Sequence, residues 1–280
     1  MAIVNFQQTI WSDKIQTQLD TLTTLKDHCD FKFEGDIVLA EKVKILGVVR
    51  PTIRTYIPGT DLIPEAGTDS AQFLDIDQFR YYDVYVDDID KAQSVPGLIE
   101  SLTSEANKGL AESADEYVAT TVVNEITAGN IAKSASTDVS SLTAATTQTL
   151  FDGAFQKLYD NNCKVSDMFH LEITAEMYNK LRAAIVSLDT NNSDLIKKGY
   201  VGHYNNALVS LENKLGTWND GTRDTKLAML RTSKAIAFAG QLQSVEAYRA
   251  EKGFSDGVKA LYAFGVKVVR PEQIYVLPLY

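Results

Sequence analysis

Apolar and polar positions change period several times along the chain, and each change marks a predicted element. Residues 8–27 carry Trp11, Ile15, Leu19, Leu22 and Leu25 at three- and four-residue spacing, with Gln, Thr and Asp between them. That stripe predicts an amphipathic helix, packed on its own domain or docked as an arm on a neighbour. From Asp36 the period shortens to two. DIVLAEKVKILGVV alternates Ile37, Leu39, Val43 and Ile45 with polar positions, stops at Arg50-Pro51, and resumes as TIRTYI before Pro58-Gly59. A turn-rich stretch, TDLIPEAGTDSAQ, follows, and then QFLDIDQFRYYDVYV, a β-type run rich in Tyr and Val. Strand, loop and strand at these lengths predict a long β-hairpin. Fourteen extended residues reach about 45 Å. Two-stranded ribbons are marginal alone in water, so this one requires a surface to lie on.

At Ser94-Val95-Pro96 the period becomes helical. Leu98, Leu102, Ala106, Leu110, Ala114, Tyr117, Val118, Val122 and Ile126 predict a helix over 95–129, with Ser94 as N-cap and Gly129 closing it. Its narrow, alanine-rich stripe suits packing along a sheet. Residues 131–146 are small and polar and read as a linker. The texture beyond is α/β: a helix in TTQTLFDGAFQKLYDNN, a buried strand in MFHLEIT, and a helix in TAEMYNKLRAAIVSL capped by Thr174. Strands are predicted at 199–211 and 227–231, and the last forty residues are β-rich, interrupted by Arg270-Pro271.

Composition is that of an ordinary globular chain: 280 residues, 45% hydrophobic, 23% charged. The net charge of −10 gives a field that would not draw nucleic acid or an anionic membrane. Cys29 and Cys163 lie far apart outside any metal or redox spacing, which predicts free thiols in a reducing compartment. No apolar run reaches membrane-span length, and MAIVNFQQTIWSDK lacks the pattern of a signal peptide.

Candidate chemistry is sparse. Phosphate-loop, dinucleotide, zinc-protease and serine-hydrolase motifs are absent. His28, His170 and His203 are isolated in sequence, and His170 is expected to be a satisfied core histidine. Cys163 would need a histidine partner to act as a nucleophile. Asn161-Asn162 and Asn205-Asn206 read as turns. FRYYDVYVDDID gathers Asp83, Asp87, Asp88 and Asp90 and raises a Mg²⁺ or Ca²⁺ site as one reading. Strand alternation, however, puts Asp83 and Asp87 on one face and Asp88 and Asp90 on the other. The segment also lacks the glycine and the spacing of a calcium loop. An acidic junction leading into the helix N-terminus is the simpler reading.

The order of parts, an N-terminal arm, a long hairpin, a long helix, an α/β unit and a return to β, resembles the major capsid protein of tailed bacteriophages. FRYYDVYVDDIDKAQS is similar to the family stretch that enters its spine helix. AIAFAGQLQSVEAYRAEKGFSDGVKALYAFGVKVVRPEQIYVL is similar to the family's ending. The resemblance implies an α+β capsid fold: N-terminal arm 1–35, extended loop 36–77, a peripheral domain in 78–129 and 241–280 with its spine helix at 95–129, and an axial α/β domain at 130–240. It implies self-assembly into pentamers and hexamers of an icosahedral shell around double-stranded DNA, held without sequence-specific contacts. No enzyme activity, cofactor, metal or membrane is expected. Because the chain starts directly at the arm, a separate scaffolding protein, or none, is expected, together with a portal. The expected place is the virion capsid, assembled in the host bacterial cytoplasm. Assembly contacts are expected at Trp11, Lys42, Lys44, Arg54, Asp87, Asp88, Glu246, Arg249, Lys252 and Asp256. Two alternatives remain open: an encapsulin-like compartment, and a metal-dependent hydrolase using Asp83, Asp87, Asp88 and Asp90.

Overall fold

The computed structural model describes residues 24–33, 42–48, 52–55, 61, 69–87, 98–125, 136–164, 166–187, 202–212, 214–219, 221–251 and 253–280. The elements follow as β1 (Lys42–Val48), β2 (Asp69–Asp75), β3 (Gln78–Asp87), α1 (Leu98–Glu125) and α2 (Ala144–Asp160). Next come β4 (Phe169–Ile173), α3 (Ala175–Ser187), β5 (His203–Tyr204), β6 (Ala207–Leu211), β7 (Thr217–Asn219) and β8 (Asp224–Thr232). The chain ends with β9 (Ile236–Arg249), β10 (Ser255–Val268) and β11 (Ile274–Leu279).

These strands form three sheets: an antiparallel ribbon of β1 and β2, a three-stranded sheet ordered β3-β10-β9, and a larger sheet ordered β11-β8-β4-β6-β5, with β7 also on β8. The antiparallel pairing of the 14-residue β9 and β10 shifts register once, between Leu261 and Tyr262. The extra residue this inserts in β9 sets Glu246 and Tyr248 opposite Lys259 and Gly257.

The helical stripe read from sequence forms α1, which buries Leu110, Ala111, Ala114, Val118, Ala119 and Val122. Against them lie Phe238 of β9, Tyr262, Phe264, Val266 and Val268 of β10, and Leu227 and Met229 of β8. β8 is buried from Leu227 through Thr232 because both its faces are covered. Leu227 and Met229 join the α1 core, while Ala228 and Leu230 join a second core under α2 and α3. β4 divides the same way: Phe169, Leu171 and Ile173 enter the second core, whereas His170 and Glu172 are not part of it. α2 starts at a capping box between Thr143 and Thr146. At α3, Thr174 Oγ1 accepts from the Met177 amide at 3.4 Å.

The ribbon stands on small residues. Val43, Ile45, Leu74 and Ile76 pack on Ala237, Ala239 and Ala263. The described ladder ends at Val48 opposite Asp69, and Thr52–Thr55 lies beyond it, so the strand expected in TIRTYI is not formed over those residues. The single β-run expected from Gln72 to Val86 is two strands, because Ile76 and Asp77 carry the chain from the ribbon to a different sheet. β2 also begins at Asp69, within the stretch expected to be turn. Asn162, Asn205 and Asn206 all hold positive φ, in keeping with their reading as turn residues.

Candidate assembly surfaces

Two places stand out: an exposed sheet face and a buried polar anchor. The sheet face follows from strand alternation in β3. Tyr82, Val84 and Val86 turn inward, so Phe79, Tyr81, Asp83, Tyr85 and Asp87 turn outward. Phe79, Tyr81 and Tyr85 are 60%, 76% and 69% exposed, far more than aromatic side chains of a self-contained sheet. Among the described residues β3 is also an edge strand, paired only with β10.

Between the aromatics lies a charged cluster. Asp83, Lys259 and Glu246 are opposite one another across β3, β10 and β9. Lys259 Nζ is 2.7 Å from Glu246, and the Tyr248 hydroxyl donates to Asp83 at 2.7 Å. The Glu246 contact, with the charge of Asp83, pushes the Lys259 ammonium up; the bond to Asp83 pushes the Tyr248 phenol up. Tyr248 lies flat across Gly257, where any Cβ would strike its ring.

The described members of the acidic run do not converge. Asp83 is engaged by Tyr248, and Asp87, four residues on, is about 13 Å away along the strand. Asp88 and Asp90 lie outside the described residues. Among the described residues no group of three or more His, Cys, Asp or Glu side chains could hold a metal ion.

The other expected contact residues are scattered. Lys42 pairs with Asp75 across the ribbon at 3.2 Å. Lys44 is exposed opposite Phe73, and Arg54 is exposed beyond the ribbon ladder. Arg249 pairs with Asp256 at 2.8 Å, and Glu246 with Lys259, so with Lys42 four of these residues form ion pairs inside the chain. Trp11, Asp88 and Lys252 lie outside the described residues. The sequence reading missed the aromatics Phe79, Tyr81 and Tyr85, the ribbon residues Leu46 and Phe73, and Phe254, which is 77% exposed between β9 and β10. A signal was present: FRYYDVYV has β-forming side chains at both odd and even positions, so neither face is written for water.

The buried anchor holds residues 24–33. Arg231 of β8 is fully buried; it donates to both Glu172 oxygens, at 3.0 and 2.7 Å, and to the carbonyls of Leu25 and His28, at 2.8 and 3.0 Å. His28 Nδ1 lies 2.9 Å from Glu172, and its ring stacks on His170 at 4.0 Å. His170 Nε2 meets Ser233 Oγ at 2.8 Å, but its buried Nδ1 has no hydrogen-bond partner among the described residues. The satisfied core histidine expected from sequence is thus satisfied at one nitrogen only. Asp115 of α1 accepts from the amides of Thr24 and Lys26, and Glu212 accepts from the Thr24 hydroxyl. Asp30 bonds β9 through the Ile236 carbonyl and the Phe238 amide.

Burial sets the protonation of this cluster. It pushes the Cys29 thiol up to about 11 and the Asp115 carboxyl up to about 6. Burial, with His28 alongside, lowers His170 to about 4. Burial alone would raise Glu172, but Arg231 and His28 hold it below the ordinary carboxylate value.

No family model and no curated protein sequence matches this chain. Solved structures do. A structure from Mycobacterium phage Che8 is 27% identical, covers 91% of this chain and 90% of its own, and superposes with a TM-score of 0.74. The capsid structure of the cyanophage P-SCSP1u is 16% identical over 92% of this chain and 88% of its own, with a TM-score of 0.75. A virus-like particle from Pyrococcus furiosus is 11% identical over 99% of this chain and 100% of its own, with a TM-score of 0.56.

Proposed function

We propose that this chain, which has the capsid fold of tailed bacteriophages, is the major capsid protein of such a phage, a structural subunit that assembles with copies of itself into the shell of the virion. The observation that carries this reading is the similarity to the phage Che8 structure, which spans about nine-tenths of both chains at 27% identity. The exposed row Phe79, Tyr81 and Tyr85 supports it, because it suits a subunit that buries this face against a neighbour. The outer ribbon face, with Lys44, Leu46 and Phe73, is basic and apolar where the β3 face is acidic and aromatic. Ribbon on sheet between neighbouring copies is therefore the contact we assign.

The same proposal extends to pentamers and hexamers in an icosahedral lattice, to double-stranded DNA inside, and to assembly in the host bacterial cytoplasm with a separate scaffolding protein and a portal. It includes the arm, loop, peripheral and axial divisions given above; the 240/241 limit falls inside β9. Among the described residues no helix is long and apolar enough to cross a membrane. The hydrolase reading loses its support, since Asp83 is engaged and stands well apart from Asp87. The Pyrococcus furiosus particle supports a compartment shell as the second reading, on fold alone.

Negative-stain microscopy of the expressed protein tests the proposal. Closed shells or capsomers are expected. A small oligomer that persists under every assembly condition would overturn it. Packaging and tail genes beside this one would separate the phage reading from the compartment.

A further inference from the structure

We propose that a cavity at the root of the ribbon is a socket for Tyr85 on the β3 face of a neighbouring copy. The inference rests on the ribbon-on-sheet contact assigned above and names the place where that contact locks.

The cavity measures about 420 Å³ and lies between the inner side of the ribbon, residues 30–33 and the turn after β10. Its floor is apolar: Ile45 and Ala237 are buried there, with Phe33 and Val269 packed against them. Its rim is charged. Lys32, Lys234 and Arg270 reach it from three separate segments, and Asp30 and Glu272 lie among them. Asp30 is answered locally, by the Lys32 ammonium at 3.5 Å and the Lys32 amide at 3.2 Å. Lys234 is shared with Asp167 at 3.3 Å. Arg270 is exposed and makes no ion pair among the described residues. Three cations against two carboxylates make this a positive place on a chain of net charge −10.

The wall adds an unmet acceptor. Gln72 Nε2 donates to the Val269 carbonyl at 3.3 Å, which fixes the end of the amide that is oxygen. That oxygen is buried and has no hydrogen-bond partner among the described residues. A small turn of the side chain brings it to the cavity, and a hydroxyl entering there relieves the lost bond.

The β3 face carries the matching pattern. Tyr85 is 69% exposed and stands outward between Asp83 and Asp87, roughly 7 Å from each along the strand. Tyr81 has Phe79 on one side instead. An aromatic ring flanked by carboxylates therefore meets an apolar floor ringed by cations, and the phenol donates to Gln72. Leu46 joins the two surfaces: it lies on the outer ribbon face assigned to the neighbour, is 67% exposed, and also lines the cavity. A sheet laid against the ribbon at Leu46 covers the opening. Socket and tyrosine are different surfaces of one chain, so the contact is head-to-tail and repeats from copy to copy, as a ring requires.

Thiol cross-linking in assembled particles tests this. Leu46→Cys and Tyr85→Cys subunits are mixed, assembled and treated with a short bismaleimide; Cys29 and Cys163 are buried and leave a low background. A covalent dimer is expected from the mixed particles, and from neither variant alone nor from the unassembled mixture. Leu46→Cys mixed with Phe79→Cys is the register control, since residue 79 lies about 20 Å from residue 85 along β3. Particles that cross-link 46 to 79 and not to 85 would keep the ribbon-on-sheet contact and overturn the socket. Particles that cross-link neither would overturn both. Should the cysteine variants not assemble, Tyr85→Phe and Arg270→Ala carry the test. Each should raise the critical concentration for assembly about three- to tenfold with subunit stability unchanged. Native assembly by both would overturn the socket while leaving the shell reading in place.

Discussion

Gly265 of β10 and Asp75 at the end of β2 touch backbone to backbone, with no room for a side chain between them. A Cβ at 265 would run into the Asp75 carbonyl, and neither strand has a flexible atom to yield there. Gly265→Ala should therefore displace the ribbon root from Ala237, Ala239 and Ala263. The expected cost is about 1–3 kcal/mol, the range of overpacked cores, measured by denaturant unfolding. Assembly yield should fall with it. Unchanged stability would show that the ribbon root shifts freely.

Arg231 cannot be replaced by another cation. Arg231→Lys keeps the charge but loses the planar fork that spans Glu172 and two carbonyls. Arg231→Met leaves Glu172 buried and unpaired by its main partner. A loss of about 3–5 kcal/mol is expected for the Met variant, with little of it recovered by Lys, in equilibrium unfolding.

The outward aromatics of β3 should matter to the shell and not to the subunit. Tyr81→Ser and Tyr85→Ser should change unfolding free energy by no more than about 0.5 kcal/mol, as for surface positions. If a neighbour covers them, each should raise the critical concentration for assembly by about tenfold or more. Light scattering during assembly reads this directly. Normal assembly of the double variant would remove the β3 face from the list of contacts.

Asp87 lies at the end of that face, opposite Ser255. Asp87→Ala combined with Asp88→Ala should lower particle yield or the temperature at which particles dissociate, by electron microscopy and differential scanning fluorimetry. Calorimetry of the native protein with Mg²⁺ and Ca²⁺ should show no binding at this acidic run.

Both thiols should be silent in the folded chain. Burial pushes Cys29 up to about 11, and burial, with Asp167 and Glu272 nearby, also raises Cys163. An aromatic disulfide reagent at pH 8 should label neither thiol quickly, and both after denaturation. Rapid labelling of Cys29 in the native state would mean that the segment around it opens on the timescale of the reagent.

What could be read from sequence was what is local. The α1 stripe at Leu110, Ala114, Val118 and Val122, the Thr174 cap and the asparagine turns are set by neighbours a few residues away. The pairing of His28 with His170, 142 residues apart, is set by packing, and no spacing rule contains it. β4 offered a partial clue: FHLEI is buried throughout yet alternates apolar with polar, and a buried polar alternation implies an answering network on one face. The outward face of β3 is hard to read for a related reason: its acids have the look of ligands, while Phe79, Tyr81 and Tyr85, exposed in the fold, have the composition of ordinary strand formers.

β8 is a party wall. Each of its residues from Leu227 to Leu230 belongs to one of two adjoining cores, so neither layer can open without stripping a side from the other. The two layers that share β8 are therefore expected to unfold together. Under strain the subunit fails all at once or stays whole, which suits a tile that must carry load for its neighbours.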